Sequence, residues 1–335
     1  MVAGKKKKSS QAELHIVKIP RLPIVIGLIV LVSLIVFVIL HVHDERKFFD
    51  LLSTAQPAWL LLVIGFQVGT YTCVGAVWYM ITWFSGYRIA LLQLAKLSLE
   101  KLSIDQLIPA IGVSGNLIVY QNMKRWGLPK RLSLEAILLN ILSHNIAYGM
   151  VSMASLVILG SLHKVTPVLL GLFGLFSIVL ISVPGAILWM VSHKNKTLPH
   201  WLLKFKFIIK SQRILQTVSP ERIYSFKMLS LGTLFNLLIF LLDSGSFWAT
   251  LHALGTKASY LDAFLALTVA SVAATLSALP GGIGGFEAGA VTMLSVLGVR
   301  IEAALAGTIL LRGFTLWLPL LPGLWMARKE IKMRW

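Results

Sequence analysis

Residues 57–83, "PAWLLLVIGFQVGTYTCVGAVWYMITW", run from end to end without a charged side chain. Crossing the ~30 Å hydrocarbon core of a bilayer takes roughly 20 apolar residues in a helix. Such a run leaves few folds open, because backbone amides and carbonyls inside lipid must find partners within the protein. Five more runs read the same way: 22–40, 132–160, 165–192, 226–250 and 301–327. Charged residues make up 13% of the chain and the mean hydropathy is +0.81, whereas a soluble domain carries about 25% charged residues. The sequence therefore predicts an all-α, polytopic helical membrane protein. Cys73 is the only cysteine, which rules out an intrachain disulfide.

Two further stretches, about 88–127 and 259–298, differ from the spans. Each starts as a helix, reaches a proline (Pro109 or Pro280), and continues through glycine-rich sequence. Asn116 stands seven residues after Pro109 and Gly127 eighteen after it; Glu287 and Gly298 hold the same places after Pro280. Leu94-Ala95 and Leu265-Ala266 also match at these offsets.

The basic residues orient the layout. With the N-terminus in the cytoplasm, the cytoplasmic segments hold 23 of the 31 lysines and arginines, as the positive-inside rule expects. Arg88 and the cluster Lys124, Arg125, Lys130 and Arg131 then lie on one side, so 88–127 enters and leaves by the same face. By the same reasoning 259–298 enters and leaves by the other. The prediction is about six full spans plus two re-entrant hairpins in an inverted repeat, 57–160 against 226–327. Broken helices near the midplane of an inverted repeat are a transporter pattern. Flanking these are a cytoplasmic basic arm (1–21), an interfacial basic segment (193–225) and a basic tail (328–335). Both termini are expected in the cytoplasm, and the location is the plasma membrane.

A net charge of +18 does not imply nucleic acid here, because the basic residues are distributed between spans. The anionic cytoplasmic leaflet is the partner they fit. A homodimer is one arrangement the sequence allows.

Non-helical backbone at membrane depth has to line a wet cavity or lie in protein. In "ALPGGIGGFEAGA", Pro280 ends a helix by removing a donor, and the glycines allow a sharp turn. N–H groups of Gly281, Gly282, Gly284 and Gly285 at the start of the next helix are expected to form an anion site. Ser114 and Asn116 occupy the comparable turn of the first hairpin. Gly281, Gly285 and Gly289, at spacing four, are also read as a helix-packing face. Charge at depth is costly, at least ~2.5–3.5 kcal/mol at the bilayer centre, and marks a function or a pair. Arg312, in "LLRGFT", is expected near Glu287, either exchanging that carboxylate for a lipid phosphate or bound to it permanently. Glu100, Lys101 and Asp105 pair at helical spacing or line a groove. Asp243 is also placed at depth, and Glu135 and Asp262 at the interfaces. His144 reads as a satisfied core residue, and His41 and His43 as a weak metal pattern. No cofactor, zinc helix or P-loop is indicated, so any energy source would be a gradient.

The stretches "LPGGIGGFEAG", "LLRGFTLWLPLLPG" and "IPAIGVSGNLIVYQNMKRWGLP" resemble the transmembrane region of lysylphosphatidylglycerol synthase/flippase proteins, over about residues 20–327. The resemblance implies movement of lysyl-phosphatidylglycerol or of a related glycolipid or polyprenyl-phosphate lipid. It singles out Gly281, Gly282, Gly284, Glu287 and Arg312. The family's synthases carry a soluble aminoacyl-transfer domain after the membrane part. Here the sequence ends at Trp335, so lysyl transfer is not expected and the chain is not read as an enzyme. Asn116 and Asn140-Ile141 stand where the family often has charge in the first repeat. The expected function is a flippase for a phosphate-bearing lipid. The alternative is an accessory or catalytic subunit of lipid or glycolipid biosynthesis.

Overall fold

The computed structural model describes residues 55–107, 113–192, 225–277 and 279–322. Among these residues there are nine α-helices and no strand: α1 (Pro57–Phe84), α2 (Leu91–Leu107), α3 (Val113–Arg125), α4 (Lys130–Ser161), α5 (Pro167–Ser192), α6 (Phe226–Ala253), α7 (Tyr260–Ser277), α8 (Gly285–Val296) and α9 (Ile301–Arg312). A 3₁₀ turn, Pro280–Gly282, precedes α8, and a π-turn, Gly313–Trp317, follows α9. The expected segment 22–40, Pro109, the basic segment 193–224 and the tail 328–335 lie outside the described residues.

Among the described residues, six helical stretches are long and apolar enough to cross a membrane. Five are the expected runs from 57 onward. The sixth is α7, which the sequence reading had assigned to a hairpin arm. Its partner α8 has 12 residues, which at 1.5 Å per residue is about 18 Å and too short to cross alone. The protein is thus a polytopic all-α membrane protein. Its exterior is apolar, with Leu61, Val68, Val168, Ile178 and Leu234 all more than half exposed. That suits side chains whose solvent is lipid.

Each half has the same order: a long helix, a helical hairpin, a long helix. α1 packs on α2 and α6 on α7, while α2–α3 and α7–α8 form the hairpins and α3 and α8 pack on α4 and α9. One apolar core surrounds the first hairpin through Trp78, Leu94, Val119 and Met123. Another surrounds the second through Phe247, Leu265, Met293 and Leu294, and takes in Phe173 and Phe176 of α5.

The halves meet where α1 and α6, each of 28 residues, run antiparallel along their full length. Gln56 N–H donates to Ala253 O at one end, and Lys227 sits 5.0 Å from the Phe84 ring at the other. Near the middle the two helices grip each other reciprocally. A Cβ on Gly69 would lie 3.1 Å from Leu242, and one on Gly245 3.0 Å from Phe66. Gln67 bonds Ser246 and Thr70 bonds Asp243. Small residues admit this close crossing, and polar side chains fasten it.

Candidate functional site

The second hairpin turns through three left-handed glycines, Gly281 (φ 62°), Gly282 (φ 65°) and Gly284 (φ 86°). A Cβ there costs roughly 1–2 kcal/mol per residue. Gly281 therefore does not share a helical face with Gly285 and Gly289, as the spacing had suggested. Its missing Cβ faces Leu316. Gly282 takes its place on the packing face, with an added Cβ falling 2.5 Å from Ala274; on Gly285 and Gly289 it would fall 2.9 Å from Ala273 O and from Ala270 Cα. α8 thus lies almost backbone to backbone on α7.

Glu287, in the first turn of α8, folds back so that its Oε2 accepts the Gly284 N–H at 2.6 Å. A carboxylate is favoured there because the helix N-terminus presents unpaired N–H groups and partial positive charge. The other oxygen, Oε1, accepts Arg312 Nε at 2.7 Å, and Arg312 Nη2 donates to Gly281 O at 2.7 Å. The guanidinium also lies 4.3 Å from the Phe286 ring centroid, a cation–π distance. Arg312 and Glu287 are only 13% and 12% exposed. One guanidinium thereby ties together the backbone before the turn and the carboxylate after it. The glycine amides are not all uncovered, as the sequence had suggested. Gly284 N–H goes to Glu287 and Gly282 N–H to Leu279 O. Gly281 contributes its carbonyl.

Helix α9 ends at Arg312, and the π-turn begins at the next residue, a break that the apolar run 301–327 gave no sign of. π-turns insert a residue and re-aim what precedes them, and they occur often at functional positions.

The first hairpin repeats the chemistry with other residues. Asp105, on α2, accepts Gly115 N–H at 2.8 Å and the Ser114 hydroxyl at 3.4 Å through Oδ1. Its Oδ2 pairs with Lys101 Nζ at 2.7 Å. A Cβ on Gly115 would sit 2.6 Å from that carboxylate, so glycine is what lets Asp105 reach the N-terminal end of α3. Asn116 is half-buried in the same turn. Of the acidic residues considered at depth, Glu100 accepts from Asn122 at 3.3 Å. The hairpins also meet: α2 packs on the Pro280–Gly282 turn, and its Ser103 donates to Pro319 O. Sequence reasoning missed Gly115 and the capping role of Asp105. A glycine ten residues after an aspartate, with a proline between them, leaves no periodic signal.

The remaining candidates fall into structural roles. Glu135, in the second turn of α4, is fully buried and pairs with Arg131 at 2.9 Å; the neighbouring arginine makes burial tolerable. Asp262 caps α7 in a reciprocal arrangement with Ser259. His144 bonds Asn236 Oδ1 at 3.1 Å and stacks on Phe240, as a satisfied core histidine does. His41 and His43 lie outside the described residues.

Two carboxylates, each seated at the N-terminal end of a hairpin helix and each held by a cation, make an arrangement that can exchange one anion for another. The family model described as "Lysylphosphatidylglycerol synthase TM region" matches residues 24–323. No curated protein matches the chain.

Proposed function

The chain belongs to the lysylphosphatidylglycerol synthase transmembrane-region family, and we propose that it is a flippase for a phosphate-bearing lipid. The lipid is an aminoacyl-phospholipid, a glycolipid or a polyprenyl-phosphate-linked lipid. The observation that carries this reading is the Arg312–Glu287–Gly284 arrangement. A headgroup phosphate and the Glu287 carboxylate are both oxyanions that accept N–H bonds, and a guanidinium recognises either in its planar fork. In the resting site Glu287 occupies the position. An arriving phosphate takes Arg312 and the Gly284 N–H, and Glu287 swings aside. When the lipid leaves, the carboxylate returns. Arg312 thereby always has an anion, while the displaced Glu287 must turn to the water that brings the headgroup, since a carboxylate left buried without its cation is costly. Entry and release can then be close to balanced, as transport requires.

The hairpins would carry the exchange from one leaflet to the other by rocking against α1 and α6, with the π-turn behind Arg312 re-aiming it. Both termini face the cytoplasm in this reading, the membrane is the plasma membrane, and the basic segments rest on its anionic leaflet. The alternative, an accessory or catalytic role in lipid synthesis, predicts a new lipid species in expressing cells.

The test uses purified full-length chain in phosphatidylglycerol-containing vesicles with headgroup-labelled lipid. The reading expects label in the inner leaflet to become accessible to an impermeant quencher faster than in protein-free vesicles. Rates no faster than in protein-free vesicles for an aminoacyl-phospholipid, a glycolipid and a polyprenyl phosphate alike would overturn it.

A further inference from the structure

The α1–α6 clasp holds a carboxylate that the lipid site does not use. Asp243 lies about 5 Å from the midpoint of α6 along its axis, taking 1.5 Å per residue. Its Oδ1 accepts Thr70 Oγ1 at 3.0 Å and Gln67 Nε2 at 3.2 Å. Gln67 also donates to Ser246 Oγ at 2.9 Å, and Gln67, Thr70 and Ser246 are all under 9% exposed. Unlike Asp105, Glu135 and Glu287, Asp243 has no cation within ion-pair distance among the described residues.

Its ionisable neighbours on α1 share that neutrality. On α1, Tyr71 follows Thr70 directly and Cys73 stands three residues beyond Thr70. Tyr260 of α7 donates to Leu241 O. His144 of α4 faces Asn236. On α9 the ionisable groups are Glu302, in its first turn, and Arg312, which binds Glu287. The Tyr71 hydroxyl, one residue along α1 from Thr70, is buried with no hydrogen-bond partner among the described residues.

An intramembrane carboxylate held only by neutral donors is costly when charged. It becomes inexpensive once a proton joins it, and the bonds from Thr70 and Gln67 to Oδ1 survive because the proton can sit on Oδ2. We propose that Asp243 is a proton-binding site at the junction of the two halves, taking a proton from water on one side of the membrane and releasing it to the other. Its link to lipid movement rests on the flippase reading; proton binding itself does not. A proton on Asp243 removes the charge from the clasp by which α1 and α6 hold the two halves together, which is how a proton gradient would bias them.

Two measurements test this on the full chain. In infrared difference spectra taken between acidic and alkaline pH, the parent should show a protonated-carboxyl band that is lost in Asp243→Asn and kept in Asp262→Asn. The asparagine retains an oxygen for Thr70 and Gln67, so the clasp persists. Identical spectra for parent and Asp243→Asn would overturn the proton site. In vesicles with labelled phosphatidylglycerol, reversing an imposed proton gradient should change the parent's flipping rate and leave that of Asp243→Asn unchanged. A parent that flips lipid indifferently to the gradient would overturn the coupling. A parent that flips no lipid yet shows the band would sink the flippase reading and leave the proton site standing.

Discussion

Arg312 Nε lies 2.7 Å from Glu287 Oε1, across 25 residues of chain, and Glu287 in turn caps the helix that the glycine turn begins. The pair is a structural fastening, and in the proposed function it is also where an incoming anion meets a guanidinium.

Removing one partner of the pair should be far worse for stability than removing both. Arg312→Ala leaves Glu287 buried without its cation, a loss of about 3–5 kcal/mol. Glu287→Leu combined with Arg312→Met should cost much less, since apolar replacements of a buried ion pair are often near neutral. Unfolding in mixed detergent micelles, followed by tryptophan fluorescence, measures both.

The glycines of the second hairpin should divide by mechanism. Gly289→Ala drives a methyl to 2.9 Å from the α7 backbone and should destabilise by about 1–3 kcal/mol through overpacking. Gly284→Ala meets open space but at φ 86°, so its cost should be about 1–2 kcal/mol from backbone strain alone. Gly65→Ala, in mid-helix with nothing within 4 Å, should stabilise by roughly 0.5–1 kcal/mol. The same unfolding assay ranks the three, and a destabilised Gly65→Ala would contradict the ordering.

In the first hairpin, Gly115→Ala should push Asp105 off the N-terminal end of α3, because the new Cβ would meet its carboxylate at 2.6 Å. Amide hydrogen exchange in the first turn of α3 should accelerate, while α8 keeps its protection. Unchanged exchange in α3 would show that Asp105 does not secure the turn.

Much of this was readable in the sequence, for physical reasons. Bilayer length and the need to pair every backbone group made the runs from 57 onward legible as helices, to within a few residues at most ends. The Pro280 break was legible because proline and glycine act locally. Arg312 beside Glu287 followed from the cost of charge at depth. The α1–α6 clasp was not legible, because Gln67, Thr70, Asp243 and Ser246 are ordinary helix residues until an antiparallel crossing brings them together. The Gly281 misplacement has a similar cause: spacing four implies a shared face only if the helix is continuous, and here it begins at Gly285. The burial of Glu135 was not legible, because nearness to a helix end says nothing about what packs over that end.

The central claim is that Arg312 binds a lipid phosphate by trading it against Glu287. Headgroup translocation in vesicles by the folded Glu287→Leu/Arg312→Met double variant tests this most directly. The account predicts that flipping falls to the protein-free rate while stability stays close to that of the parent. A double variant that flips lipid as fast as the parent would reduce the pair to a structural fastening and contradict the account.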